Sequence, residues 1–90
     1  MAKVRQMQGR TGQPVANQFI IRDDNTGWTV FQSYHATICK KGDDGTILLD
    51  KHYWDYSVTT SKYRNQFLGI DTATTKRRIK SGEIQLVELN

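Results

Sequence analysis

Between Trp28 and Lys40, side chains alternate in character with a period of two. Trp28, Val30, Gln32, Tyr34, Ala36 and Ile38 fall on one side, and Thr29, Phe31, Ser33, His35, Thr37 and Cys39 on the other. That period belongs to a half-buried β-strand, because successive Cβ atoms point to opposite faces. The first set reads as the core face, with Gln32 its polar exception, and the second as the half-polar face. Lys41-Gly42-Asp43-Asp44-Gly45 follows, and an Asp-Gly pair between two β-rich runs predicts a hairpin with Thr46–Tyr53 as the return strand. Upstream, Asn17–Arg22 reads as a strand with Phe19 and Ile21 on one face and Ile20 on the other. It ends in the turn Asp23-Asp24-Asn25-Thr26-Gly27. Three strands joined by short turns make an antiparallel meander.

The period changes after Ser57. Thr59 or Thr60 can serve as N-cap of a helix on which Tyr63 and Phe67 share a face, and Gly69 is placed to end it in the left-handed conformation. A second short helix is expected from Asp71 or Thr72 to Gly82, with basic residues near its C-terminus where the macrodipole favours them. Glu83–Leu89 alternates weakly and reads as a closing strand. The expected order is βββααβ, an α+β fold with two short helices on a small antiparallel sheet. Residues 1–16 read as a flexible N-terminal arm, since Gln8-Gly9-Arg10-Thr11-Gly12-Gln13-Pro14 joins two glycines to the only proline. Residues 17–90 then form a single α+β domain.

Composition narrows the function classes. One cysteine excludes an internal disulfide framework, and with two histidines it cannot fill a tetrahedral zinc site. The longest apolar runs, Phe19-Ile20-Ile21 and Ile47-Leu48-Leu49, fall far short of the ~20 residues that cross a bilayer. A cytoplasmic protein with no membrane partner, no metal and no cofactor is expected. The net charge of +4 comes from two basic blocks. One is Lys3, Arg5, Arg10 and Arg22; the other runs from Lys62 and Arg64 to Lys76, Arg77, Arg78 and Lys80. A fold that joined the blocks would make a polyanion-binding patch.

No catalytic set emerges. His35 and Cys39 share a strand face but lie ~13 Å apart along it, too far for a nucleophile and its base. Asp50, His52, Asp55 and Ser57 contain the letters of a triad without a nucleophile elbow or an oxyanion loop. A non-enzyme is expected. Recognition is the better use of this composition, because eight of the nine aromatics lie between Trp28 and Gly69. Tyr53, Tyr56, Tyr63 and Arg64 are the candidate contacts to a protein partner, being residue types that dominate interface hot spots. Two alternatives use other residues. A nucleic acid would be held by Lys76, Arg77, Arg78 and Lys80 with the N-terminal arm. An anionic, nucleotide-like small molecule would sit at the helix start on Thr59, Thr60 and Lys62, beside Arg64. A monomer and a homodimer are both compatible with so small a core.

Several phrases carry a resemblance: Asn17-Gln18-Phe19-Ile20-Ile21, Phe31-Gln32-Ser33-Tyr34, the Asp-Gly hairpin, the run Tyr53–Gly69, and Lys80-Ser81-Gly82-Glu83. From about Thr11 to the C-terminus they resemble short proteins of tailed bacteriophages that carry a domain of unknown function. The resemblance brings no activity, cofactor or binding residue. It implies a setting, a small non-virion protein in the cytoplasm of a bacterial host. Proteins of that kind inhibit or redirect host machinery, including defence complexes such as CRISPR effectors.

Overall fold

The structure, a computed structural model, describes residues 2–90. Five strands come first: β1 (Ala2–Gln8), β2 (Pro14–Asp23), β3 (Trp28–Ser33), β4 (Ala36–Gly42) and β5 (Ile47–Asp50). Two helices, α1 (Val58–Leu68) and α2 (Thr72–Ser81), then lead to β6 (Ile84–Val87). The strands lie in sequence order in one six-stranded sheet, antiparallel from β1 to β5 and parallel between β5 and β6. The molecule is α+β with two helices, as expected. Its sheet is not the expected three-strand meander with a C-terminal strand: it is mixed and six-stranded, and the order is βββββααβ rather than βββααβ.

Two features account for the difference. The first is the N-terminal segment, where residues 2–8 form an edge strand paired with β2 rather than a loose arm. Lys3, Arg5, Gln6 and Gln8 make that strand polar, and all its residues except Met7 are exposed. Charge on an exposed edge blocks pairing with other chains, and it also hides the strand from a hydrophobic pattern. The Gly-rich stretch is the hairpin turn between β1 and β2, closed by hydrogen bonds from Gly9 N to Gln13 O and from Gly12 N to Gly9 O. The second feature is that Trp28–Lys40 is two strands. The chain reverses at Tyr34-His35, where Tyr34 adopts φ +56° without the glycine or asparagine that marks such turns.

The reversal and a bulge also invert the expected core face. Ile20, Phe31, Cys39 and Leu49 lie side by side across four strands and point to the helices. Phe31 stacks on Phe67 of α1 with ring centroids 5.8 Å apart, and Phe31, Cys39 and Leu49 are fully buried. Pairing slips between Phe31 and Gln32 opposite β4, so Ile38 is an extra residue and is buried beside Cys39. Trp28 and Val30 face the other side of the sheet, which no helix covers. There Ile21, Val30, Lys40 and Leu48 form a half-buried row, and Lys40 Nζ stands 4.4 Å over the Trp28 ring.

The crossover from β5 to β6 positions the helices. Ser57 caps α1 by accepting from Thr60 N, a role expected of Thr59 or Thr60, and Gly69 ends the helix at φ +74°. Asp71 caps α2 through Thr74 N, and Gly82 ends it at φ +87°. α1 lies over β3 and β4, and α2 lies against β6. The helical side of β1 and β2 lies at the margin of α1, whose Gln66 Nε2 donates to Gln8 O above the buried Met7.

Candidate functional site

The loop from Asp50 to Ser57 is held from below. Asp50 is buried at the end of β5, and its Oδ2 accepts from His52 N (3.0 Å) and Tyr53 N (2.9 Å). Its Oδ1 accepts from Leu89 N at 2.9 Å, so one carboxylate ties the loop to the segment after β6. Burial works to raise the Asp50 pKa. The donors of Leu89, Asn90, His52 and Tyr53 outweigh it and hold the carboxyl below its ordinary value. Arg64 braces the other half of the loop. Its guanidinium is fully buried, with Nη1 donating to Trp54 O, Asp55 Oδ1 and Ser61 Oγ, and Nη2 to Asn65 Oδ1 and Thr72 Oγ1. The guanidinium also lies 5.1 Å from the Trp54 ring centroid.

On this frame several apolar side chains stand in solvent. Tyr53 and Tyr56 meet edge to face at 5.4 Å, and with Tyr34 they line a cleft of about 370 Å³ closed by His35, Ala36 and Asn90. Tyr56 also lines a second cleft that holds Val58, the first residue of α1, which is 88% exposed. Tyr34, Tyr53, Tyr56 and Val58 are four of the six large hydrophobic residues exposed among the described residues. Tyr34 and Val58 had no place in the expected site. A tight turn with no glycine signal brings Tyr34 beside the loop, and nothing in a single helix position marks Val58 as exposed.

The other candidates are scattered. Tyr63 is half-buried on the far side of α1, with Lys62 Nζ 5.2 Å from its ring. Arg64 faces inward and presents no atom to a partner. Thr60 is buried and shares a hydrogen bond with Ser33 at 3.2 Å, whereas Thr59 is exposed. An anion at the start of α1 would compete with the Ser57 cap and with Asp55, whose Oδ1 accepts from Ser61 Oγ at 2.6 Å. Lys76, Arg77 and Lys80 make an exposed stripe on α2, and Arg78 leans toward Glu83 at 3.9 Å. The stripe lies by β6 and the basic residues of β1 at the opposite edge of the sheet, so the α2 cations do not join the first block, whereas Lys62 shares a cleft with Arg10.

The residues considered for catalysis also separate. Cys39 is fully buried, and burial pushes its thiol up to about 12, away from the reactive thiolate. His35 sits in the exposed β3–β4 turn. The His52 ring lies 4.0 Å from Glu88 and meets Asp50 only through its backbone N–H, while Ser57 is spent on the helix cap. Among the described residues, no cluster of three or more His, Cys, Asp or Glu side chains is placed to hold a metal ion. No helix among the described residues is long and apolar enough to cross a membrane.

A protein-family model described as "Family of unknown function (DUF8033)" matches residues 2–84, and the chain belongs to that family. No curated protein and no solved structure matches it.

Proposed function

We propose that the chain is a non-enzymatic binding protein whose working surface is the tyrosine cluster at the β5–α1 loop. The observation that carries this reading is the convergence of Tyr34, Tyr53, Tyr56 and Val58 on adjoining clefts above a hydrogen-bonded frame. Apolar area held rigidly in water is costly to an isolated domain. Tyrosine on a fixed loop loses little entropy on docking, which is why it recurs at interface centres. The likeness to phage proteins supplies the setting: a bacterial cytoplasm, with a host protein as partner and a defence complex such as a CRISPR effector as one such target. Net charge of +4 argues against the acidic mimicry of DNA as the means of inhibition.

A photoreactive side chain at Val58, in protein expressed in bacterial cells, tests the reading. One stoichiometric adduct is expected, surviving nuclease treatment. The double variant Tyr53→Ala/Tyr56→Ala should lose it while melting at the same temperature, since each truncation at a hot spot costs ~2 kcal/mol or more of binding. An adduct that persists in the folded double variant, or no adduct at all, counts against it.

A further inference from the structure

All nine carboxylates of the chain are already engaged inside the fold. Asp24 and Asp43 pair with Arg22, Asp55 with Arg64, Glu83 with Arg78 and Glu88 with Lys51. Asp23, Asp44, Asp50 and Asp71 accept from backbone N–H groups. Among the described residues, Arg22, Lys51, Arg64 and Arg78 take the ion pairs, and Arg5, Arg10, Lys41 and Lys62 are among the nine Lys and Arg side chains left with no carboxylate partner. Arg5, Arg10, Lys41 and Lys62 lie along one groove.

The groove follows the margin between α1 and β1–β2, where Gln66 of α1 reaches across to donate Nε2 to Gln8 O and Met7 is buried beneath. Its first section, about 430 Å³, runs over Met7, Ile20 and Thr29 between Arg5 and Lys41. Its second, about 810 Å³, passes between the β1–β2 turn and α1, with Arg10, Lys62 and Tyr63 on its walls. Gly9 and Gln66 line both sections, which adjoin where Gln66 Nε2 bridges from α1 to Gln8 O. The only carboxylate on either wall is Asp71, which is held by Thr74 N.

We infer that this groove is a binding site for single-stranded nucleic acid. A row of cations without carboxylate partners beside an aromatic ring is the arrangement that tracks a phosphate backbone and lets bases stack without reading sequence, with Lys41 anchored at one end by its hydrogen bond to Phe67 O. From Arg5 to the end of β1 at Gln8 the chain advances ~10 Å before the turn that carries Arg10, a length that spans one or two phosphates of a strand. A duplex carries its phosphates on a convex surface and does not enter a cleft of this size. An acidic peptide would add to the free edge of β1, as peptides join sheets by backbone pairing, whereas these cations line the face. The site adjoins the Tyr56–Val58 cleft, with which it shares Lys62 and Asn65, but uses none of the tyrosines of that surface.

The probe is a labelled oligothymidylate of about 12 nucleotides, within the site size of single-strand binders, titrated against salt by fluorescence anisotropy. The expected result is binding at low salt that weakens with a slope of about −3 in log K against log salt, for four phosphate contacts on a single strand. Arg10→Glu/Lys62→Glu should lower the affinity about tenfold or more. Lys76→Glu/Arg77→Glu on α2 and Tyr53→Ala/Tyr56→Ala should leave it unchanged. Thermal unfolding checks that each variant is folded, which the exposure of Arg10 and Lys62 favours. Absence of binding at low salt, a loss as large in the α2 variant, or equal affinity for a polyglutamate peptide of matched charge would overturn the assignment.

Discussion

Gln18 is fully buried on β2, and neither its Oε1 nor its Nε2 meets a hydrogen-bond partner. It lies opposite Ser33 in the sheet, and Ser33 spends its hydroxyl on Thr60. A buried amide without partners costs roughly 1–3 kcal/mol of folding free energy. Methionine has a similar volume, flexes to fit and has no amide to desolvate. Gln18→Met is therefore expected to raise stability by about 1 kcal/mol, measured as a higher urea midpoint at unchanged slope. A lower midpoint would mean that the amide has a partner and contributes to the fold. Cys39 shows the opposite economy, since a thiol buried with no polar role is simply core.

At the scale of elements, Arg64 holds the crossover together. One guanidinium links the β5–α1 loop, α1 itself and the first turn of α2, because its planar fork reaches donors' partners on both sides at once. Lysine keeps the charge but presents a single ammonium on a flexible stem, and it cannot span Trp54 O and Thr72 together. Arg64→Lys is expected to cost about 2–3 kcal/mol in chemical unfolding, the worth of one or two charge-assisted hydrogen bonds. A loss below about 0.5 kcal/mol, the range of ordinary surface changes, would show that helix packing alone fixes the loop. Sequence marked Arg64 as a contact to a partner. Its neighbours in the chain are polar, and nothing local shows that Thr72 and Trp54 close over it.

For the whole molecule, stability should form a plateau against pH with a fall at each end. Asp50 and Asp55 both have lowered pKa values in the fold: burial opposes ionisation, but hydrogen bonds and, for Asp55, Arg64 outweigh it. A carboxyl with a lowered folded pKa contributes fully above its unfolded value of about 3.9, and the contribution is lost as pH falls through the folded value. Asp43, Asp44 and Asp71 are lowered too, but they stand in solvent and add little. At the alkaline end burial raises Cys39 from an ordinary 9.0 to about 12. The unfolded chain then ionises first, and stability declines as pH rises above about 9. Melting temperature should be flat between about pH 5 and 8, fall below about 4, and fall again above about 9. Cys39→Ala should remove the alkaline fall, and its persistence would assign that fall to another group.

What the chain determines locally is legible without a structure. The Asp-Gly hairpin, the Gly69 C-cap, the bounds of the second helix from Asp71 or Thr72 to Gly82 and the closing strand follow from side chains acting within a few residues of themselves. The absence of a zinc ligand set or of a nucleophile elbow in the sequence is a local reading of the same kind. The strand count, the buried face and the groove are not local. Ala2–Gln8 is a strand only because β2 lies beside it, and its charges are those of an edge. Tyr34 turns without a glycine because Asn17 O accepts its N–H at 2.7 Å and the sheet holds both strands. One residue of slip at Ile38 then exchanges the faces of β4 and sets Cys39 beside Phe31 in the core, while β3 turns Trp28 and Val30 to the other face. The tyrosine surface and the basic groove arise the same way, from residues far apart in sequence that the sheet and crossover bring together. Pairing across strands sets both, and no single strand encodes its neighbour.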